Sequence, residues 1–319
     1  MDKPKSRKKL FVFLFLAAGL CIFVYIYAPS FSDYYYIRRY GKTIPKLPIV
    51  QDFKATDRVV VFAPHPDDET LCCAGAIQKA NAAGAQVFVV FMTSGDGFEW
   101  DDILLTRKMK PKPAAMIDLG KRRISESKTA AGILSVPRDH LFFLGYPDRG
   151  LTHLFFDHYK KPYTSFYTKT DKVPYAEALS PGALYTGNNL EKDLASILLE
   201  VKPTYIFMPA PMDAHPDHRA TSFFVLRELN LVIGVDLNTY FWVVHGGLEW
   251  PLPKNWHTDL YLSPPGRDRS LGWERLDLTP AEVQTKKEAI ISYKSQMRML
   301  KRYMAAFARR NELFLSQMF

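Results

Sequence analysis

Short apolar runs rich in β-branched and aromatic residues recur between stretches of helical character, and this alternation limits the fold more than any other feature of the 319-residue chain. Residues 58–63, Arg-Val-Val-Val-Phe-Ala, read as a first strand, residues 70–83 as a helix closed by Gly84, and residues 86–92 as a second strand. Two such strands joined by one crossover helix are parallel in the simplest topology. The pattern continues with a helix over 120–134, a strand over 140–144, a helix capped by Asn189 and ending near Val201, a strand over 204–208, a helix ending at Leu229 and a strand over 239–244. Thr279 as cap and Pro280 at the first position open a last helix that runs to about Phe307. The expected fold class is α/β: a three-layer α/β/α Rossmann-like domain with a mainly parallel sheet, preceded by one N-terminal transmembrane helix.

That helix is expected over residues 10–28, which hold no charge. A helix of this length covers about 28 Å at ~1.5 Å per residue, enough for a bilayer core. A cleaved signal peptide has a shorter apolar core and a small-x-small site, whereas Tyr25-Ile-Tyr-Ala28 before Pro29 makes a poor site. Lys3, Lys5, Arg7, Lys8 and Lys9 precede the run and Arg38, Arg39 and Lys42 follow it more sparsely, so the amino terminus is expected in the cytoplasm and the remainder on the periplasmic or extracytoplasmic side of a single-pass membrane protein. Tyr34-Tyr35-Tyr36 with Arg38-Arg39 is patterned like an interfacial belt. The expected organisation is a basic cytoplasmic tail over 1–9, an anchor over 10–28, a linker over 29–56 with Pro45 and Pro48, and one domain over 57–319. Residues 151–187 lack clean periodicity and are rich in Tyr, Phe, Lys and Pro, which suits either a substrate wall or a surface loop.

The net charge of +9 is concentrated in part in the first nine residues, where five cations meet one acid. No basic run carries interleaved aromatics, so the charge indicates no nucleic-acid groove. Lys286, Lys287, Lys294, Arg298, Lys301, Arg302, Arg309 and Arg310 face few acids and suit a solvated helix surface or a face that binds headgroups. Cys72 and Cys73 point in different directions on a helix and Cys21 lies in the apolar run, so no disulfide framework is expected.

Two expected strand-end turns carry dense polar clusters: His65-Pro-Asp67-Asp68-Glu69 and His215-Pro-Asp217-His218. Loops at the carboxyl ends of strands in an open α/β sheet are where ligands bind. Imidazole with carboxylate is a donor set suited to Zn2+, and a catalytic zinc keeps about three protein ligands. A carboxylate left outside the ligand set can take a proton from water as that water attacks a carbonyl, and a histidine can stabilise the resulting oxyanion. The alternative is that the acids cap their helices, which Asp68 or Glu69 would also suit. Asp96, in the turn-rich loop after the second strand, either lines the pocket or caps that loop.

These residues resemble the two signature motifs of the PIG-L/LmbE-like family of zinc-dependent N-acetylglucosaminyl deacetylases. Thr93-Ser-Gly-Asp96-Gly, Arg123-Ile-Ser-Glu126, Leu144-Gly-Tyr-Pro-Asp148 and the stretch from Lys287 to Gln296 are also similar to the family, so the resemblance covers about residues 57–312. It implies that His65, Asp68 and His218 are metal ligands, that Asp67 is the general base, and that His215 stabilises the oxyanion with Asp217 tuning it. It implies sugar-binding roles for Arg123 and Asp148, although Arg122 beside Arg123 is an equal candidate to face the site. The implied cofactor is Zn2+, and Fe2+ fits the same ligands.

The expected function is removal of the N-acetyl group from an N-acetylglucosamine-type sugar, with the anchor and the aromatic insertion pointing to a lipid-linked or polymeric cell-surface substrate. The rivals are a metal-dependent hydrolase of another amide or ester and an inactive membrane-anchored glycan-binding protein.

Overall fold

The computed structural model describes residues 5–98, 112–229, 237–247 and 250–316, and within them seven strands build one sheet. They are β1 (Arg58–Ala63), β2 (Gln86–Thr93), β3 (Leu141–Tyr146), β4 (Tyr205–Pro209), β5 (Asn238–Trp242), β6 (Trp273–Asp277) and β7 (Asn311–Leu315), laid side by side in the order β3-β2-β1-β4-β5-β7-β6. β1 to β5 are mutually parallel, as expected; Val60 lies opposite Phe88 of β2 and Ile206 of β4. The antiparallel pair β6 and β7 was not expected. Their sequences, Trp-Glu-Arg-Leu-Asp and Asn-Glu-Leu-Phe-Leu, mix charge with apolar residues and lack the continuous β-branched runs of the central strands.

Helices cover both faces. They are α1 (Lys5–Tyr40), α2 (Asp68–Ala82), α3 (Pro113–Ile133), α4 (Leu151–Phe156), α5 (Gly187–Val201), α6 (Pro216–Leu229), α7 (Pro280–Ser292) and α8 (Lys294–Met304). α2 packs on β1, β2, β7 and α7, and α7 in turn on α3; α6 packs on β4, α4 and α5. Val59 to Ala63 are therefore completely buried on both sides of the sheet, which is why β1 reads as an unbroken apolar run. The chain passes from β1 outward to β2 and β3, then returns to place β4 on the other side of β1. The crevice outside the carboxyl ends of β1 and β4 is thus the switch point at which open α/β sheets bind ligands.

Several sequence expectations need correction. The helix expected over 120–134 begins at Pro113, and the stretch around Trp100 and Pro111 lies outside the described residues. Thr186, not Asn189, caps α5: its hydroxyl accepts the Asn189 N–H at 3.2 Å. The single last helix is two, α7 and α8, broken at Tyr293, and a complete capping box of Thr279 and Glu282 opens the first. Cys72 and Cys73, expected to be unpaired, form a disulfide within α2. Lys286 and Arg309, expected on a basic surface, are fully buried, the first on Glu312 and the second on the carbonyls of Pro253 and His257.

The N-terminal expectations also change. Residues 10–28 lie inside α1, but among the described residues no helix is long and apolar enough to cross a membrane, so the transmembrane helix is not supported. α1 is a longer element with the basic residues Lys5–Lys9 at one end and Arg38 and Arg39 at the other, and it continues through Pro29 into the expected linker. Tyr36 is only 3% exposed and packs into the domain, which removes it from an interfacial belt. The rest of the linker is paired: Val50 N–H donates to the Arg275 carbonyl and Arg275 N–H to the Pro48 carbonyl, along the open edge of β6.

One buried ion pair ties β7 and α7 to α2. Lys286 Nζ donates to Glu312 Oε1 at 2.6 Å and to the Leu71 carbonyl at 2.8 Å, while Glu312 accepts the N–H groups of Gly75 at 2.7 Å and Ala76 at 3.0 Å. Removing one partner leaves the other charge buried alone, which costs about 3–5 kcal/mol. Lys286→Met is expected to lose stability of that order in urea unfolding, and Lys286→Met with Glu312→Gln to recover part of it.

Candidate functional site

The loops after β1 to β5 meet over the switch point and surround a cavity of about 190 Å3. β1 ends at Ala63 and delivers His65, Asp67 and Asp68; the loop after β2 delivers Gly97; β3 leads to Asp148 and Arg149; β4 to His215; and β5 to His245, while Asp213 and His218 of the β4 turn are buried outside the lining. α8 closes one side with Gln296, Leu300, Tyr303 and Met304.

Asp68 is the junction of the two motifs. Its Oδ2 accepts the His65 backbone N–H at 2.9 Å and lies 3.3 Å from His65 Nδ1 and 3.2 Å from His218 Nε2. Asp68 thus faces one nitrogen of each of the two histidines expected to share its metal. The rings of His65, His215 and His218 are grouped with centroids 4.7 to 5.4 Å apart. Their nitrogens also fall within reach of a common ion, as do the donors of Asp68, His218 and His245 and those of His65, Asp148 and Asp217.

The side chains fit a metal. His218 is fully buried, and neither of its ring nitrogens makes a hydrogen bond of acceptable geometry although carboxylates face both, Asp68 at Nε2 and Asp213 at Nδ1, each at 3.2 Å. A buried imidazole without aligned partners is costly unless a cation takes the ring lone pair. Nitrogen and carboxylate donors are the set that Zn2+ takes.

Charges in the site are strongly polarised. Burial opposes a charge on His65, but Asp148, Asp217 and Asp68 outweigh it and hold its pKa well above the ordinary value. Burial likewise opposes a charge on His218, and Asp213 and Asp68 overcome it, raising the group to about 9. Those two imidazoles reverse the sign for their neighbours: burial, with the charges of His65 and His218, pushes His215 down, and burial with His218 lowers His245 to about 4. Asp68 resists burial because His218 and His65 face it, and its pKa is well below normal. Metal binding displaces the protons of the ligating imidazoles.

Asp67 differs from its neighbour. It is the N-cap residue of α2, with φ 118° and ψ −28°, yet its side chain makes no capping bond and instead lines the cavity. That left-handed backbone is held by Glu69, whose Oε2 accepts the Asp67 N–H at 3.2 Å and whose Oε1 accepts the hydroxyls of Thr70 and Tyr293. Glu69 therefore orients its neighbour rather than entering the cavity. Burial raises Asp67 to about 8, with Arg123 opposing and Asp68 reinforcing the shift.

The expected sugar-binding residues are partly engaged in holding the loops. Arg123 is buried and Arg122 exposed, so the choice between them falls on Arg123. Arg123 donates to the carbonyls of Gly95 at 2.9 Å and Pro66 at 2.6 Å, and its Nη2 lies 3.4 Å from Asp67 Oδ2. Gly95, at φ +66°, lies so close to that guanidinium that no Cβ fits. Asp148 Oδ2 accepts the Gly97 N–H at 2.9 Å and its Oδ1 faces His65 Nε2 at 3.3 Å. Asp96 is buried away from the cavity lining, bonded to Tyr175 at 2.6 Å and to the Asp148 N–H at 3.3 Å, and so holds the loop. The expected pairing of Asp217 with His215 runs through the backbone: Asp217 N–H donates to His215 Nδ1 at 3.2 Å. The Asp217 carboxylate instead accepts the N–H groups of Arg149 and Leu151 and faces His65 Nε2 at 3.3 Å.

His245, Asp213, Tyr303 and Gln296 were not anticipated. His245 follows the expected fifth strand directly, the same signal that marked His65, and Asp213 stands inside the turn already singled out. Tyr303 lies on α8 with no local motif of its own, and Gln296 ends the Lys287 to Gln296 stretch already noted as similar to the family, without a role having been given to it.

The chain is similar to several known proteins. The profile of the PIG-L family, described as GlcNAc-PI de-N-acetylase, matches residues 60–228, more than half of the chain. A diacetylchitobiose deacetylase of Thermococcus kodakarensis is 25% identical over 185 residues, 57% of this chain and 52% of that protein. A relative from Bacteroides thetaiotaomicron is 23% identical over 283 residues, and the chain covers 36% of it, so the chain spans about half or less of the curated relatives it matches. Among solved structures, an N,N'-diacetylchitobiose deacetylase from Pyrococcus horikoshii has 19% identity and a TM-score of 0.47, covering 80% of this chain and 82% of its own.

Asp213 supports four groups at once: it accepts the N–H groups of His215, Val244 and His245, each at 2.9 Å, and faces His218. Asp213→Ala is expected to cost about 3–5 kcal/mol in urea unfolding. It is also expected to weaken zinc binding roughly 10- to 100-fold, as loss of an outer carboxylate behind a histidine ligand does. Unchanged zinc affinity in a calorimetric titration would show that the carboxylate does not orient His218.

Proposed function

The chain belongs to the PIG-L family, and we propose that it is a metal-dependent hydrolase that removes the N-acetyl group from an N-acetylglucosamine-type sugar carried by a glycolipid or cell-surface glycan. The observation that carries this reading is the juxtaposition of clustered imidazole and carboxylate donors with the Asp67 carboxylate, which lines the cavity and makes no capping bond. His65, Asp68 and His218 would hold the ion, Zn2+ by the chemistry of its donors, with Fe2+ an alternative for the same set. The ion supplies Lewis acidity toward the acetyl carbonyl and toward water.

The protein's own groups move the protons. The Asp67 carboxylate faces the cavity and accepts the proton of the attacking water; the same group then returns it to the departing sugar amine. Arg123, whose Nη2 lies 3.4 Å from Asp67 Oδ2, favours the anion that the first step needs. His215 has Nδ1 engaged by the Asp217 N–H, which leaves hydrogen on Nε2 of the neutral ring. Its Nε2–H would then donate to the oxyanion. Asp148 and Arg123 set the walls against which the sugar lies.

Asp67→Asn is expected to lower kcat for acetate release from an N-acetylated chitooligosaccharide by about 10^2- to 10^4-fold with its zinc content unchanged. Full activity in that variant would remove Asp67 as the base. Chelation is expected to abolish activity and added Zn2+ to restore it.

We also propose that α1 attaches the domain to a membrane, with the amino terminus cytoplasmic and the catalytic domain outside. The support is the uncharged run 10–28, the basic residues ahead of it, and the exposure of Phe13, Phe15, Leu16 and Leu20. A reporter enzyme active only outside the cytoplasm, fused after residue 319, is expected to be active; an inactive, fully expressed fusion would place the domain on the other side.

A further inference from the structure

Gln296 is the buried polar side chain of the cavity wall that has no task in the chemistry above. It is 1% exposed, it lines the same cavity as His65, Asp67 and His215, and neither its Oε1 nor its Nε2 has a hydrogen-bond partner among the described residues. Buried amides are nearly always paired, because an unmade bond forfeits the hydration the group had in the unfolded chain. A side chain kept in that condition within a ligand cavity is poised for a group that the ligand brings.

The backbone that presents it is fixed. Ser295, the preceding residue, donates its N–H to Glu126 Oε1 at 3.0 Å and its hydroxyl to Glu126 Oε2 at 2.5 Å. Glu126 stands one turn from Arg123 on α3, so the first turn of α8 is clamped to the helix that also supports Asp67. Gln296 and Leu300, four residues apart, share one face of α8, with Tyr303 and Met304 completing the wall, so a single amide stands in a largely apolar surface. Tyr303 is already committed, its hydroxyl bonded to the Val244 carbonyl at 2.6 Å.

We propose that Gln296 is a substrate-binding, specificity-determining residue whose carboxamide donates to and accepts from ring hydroxyls of the N-acetylated sugar. This rests on the reading under Proposed function. A carboxamide offers a donor and an acceptor side by side, as adjacent sugar hydroxyls do, whereas Arg123 only donates and ionised Asp67 only accepts. In that reading the acetyl carbonyl is taken by the ion and His215, which leaves the ring hydroxyls for α8. A site built to bond hydroxyls discriminates strongly against ligands that lack them, because its own polar groups are then stranded.

The test is Gln296→Met, which keeps the volume and removes both polar atoms, made in the full chain loaded with zinc. Because the amide has no protein partner to lose, the variant is expected to unfold at the same or higher urea concentration than the wild type. With N,N'-diacetylchitobiose as probe, KM is expected to rise roughly 10-fold or more while kcat changes less than about 3-fold. As a second readout, the calorimetric Kd for N-acetylglucosamine is expected to rise similarly, while that for N-cyclohexylacetamide, which has the ring and the acetamide but no hydroxyls, stays constant. A clear loss of stability would show that the amide is paired within the fold and overturn the proposal. So would an unchanged KM, a fall confined to kcat, or equal weakening of both ligands. A wild type that neither binds nor deacetylates any N-acetylated sugar would instead sink the functional reading itself, while an active wild type matched by the variant sinks only the role of Gln296.

Discussion

A single carboxylate oxygen, Asp68 Oδ2, holds the two halves of the site together. It accepts from the turn after β1 and faces the imidazole that begins α6 after β4, so it spans the crevice where the order of strands reverses. The parallel sheet brings the two turns within reach of one another although 150 residues separate His65 from His215. Asp68 pays for its burial through His218 and His65, and those rings keep their charge through Asp68, Asp213, Asp148 and Asp217. Each charge in the cluster is tolerable only because the others are present.

Behind the site, α2 is held from three sides. Glu69 is bonded by Tyr293 at the break between α7 and α8, and Glu312 of β7 reaches the N–H groups of Gly75 and Ala76 while Lys286 of α7 takes the Leu71 carbonyl. The strained backbone of Asp67 sits at the end of this assembly. A left-handed conformation at a non-glycine residue persists only where surrounding bonds over-determine it. Its effect is to turn the Asp67 side chain away from the helix end, where an aspartate would ordinarily cap, and into the cavity. The C-terminal elements thus bear on the candidate site without contributing to the two motifs.

The parts that were legible in the sequence are those with a local signature. β1 to β5 show as continuous apolar runs because both faces of the sheet are covered, and His65, Asp68 and His218 show because two clusters stand at the ends of such runs. What stayed hidden depends on distant partners. β6 and β7 are recognisable as strands only by their antiparallel pairing, and Lys286 and Arg309 looked like surface cations because their compensating acceptors lie elsewhere in the chain. Asp217, expected beside His215, reaches it through its backbone N–H, while its carboxylate turns to Arg149, Leu151 and His65. Residue types at a given spacing indicate which groups are near one another, but not which of their atoms meet.

The 151–187 segment shows how a stretch without periodicity becomes tied to the candidate site. Tyr175 crosses to Asp96, Asp96 receives the Asp148 N–H, and Asp148 faces His65, so a chain of hydrogen bonds runs from the segment to a metal-ligand candidate. Arg149 extends the same connection outward, bonded to Tyr167 through its guanidinium and to Asp217 through its backbone. Burial and the neighbouring Asp148 raise Asp96 to about 7, so near neutrality it carries a proton for part of the time and can sit beside Asp148 without full repulsion. The segment is therefore better described as the outer support of the β2 and β3 loops than as a surface loop. Changes in its length or aromatics would reach the site through Tyr175 and Tyr167 before they altered any residue that touches the substrate.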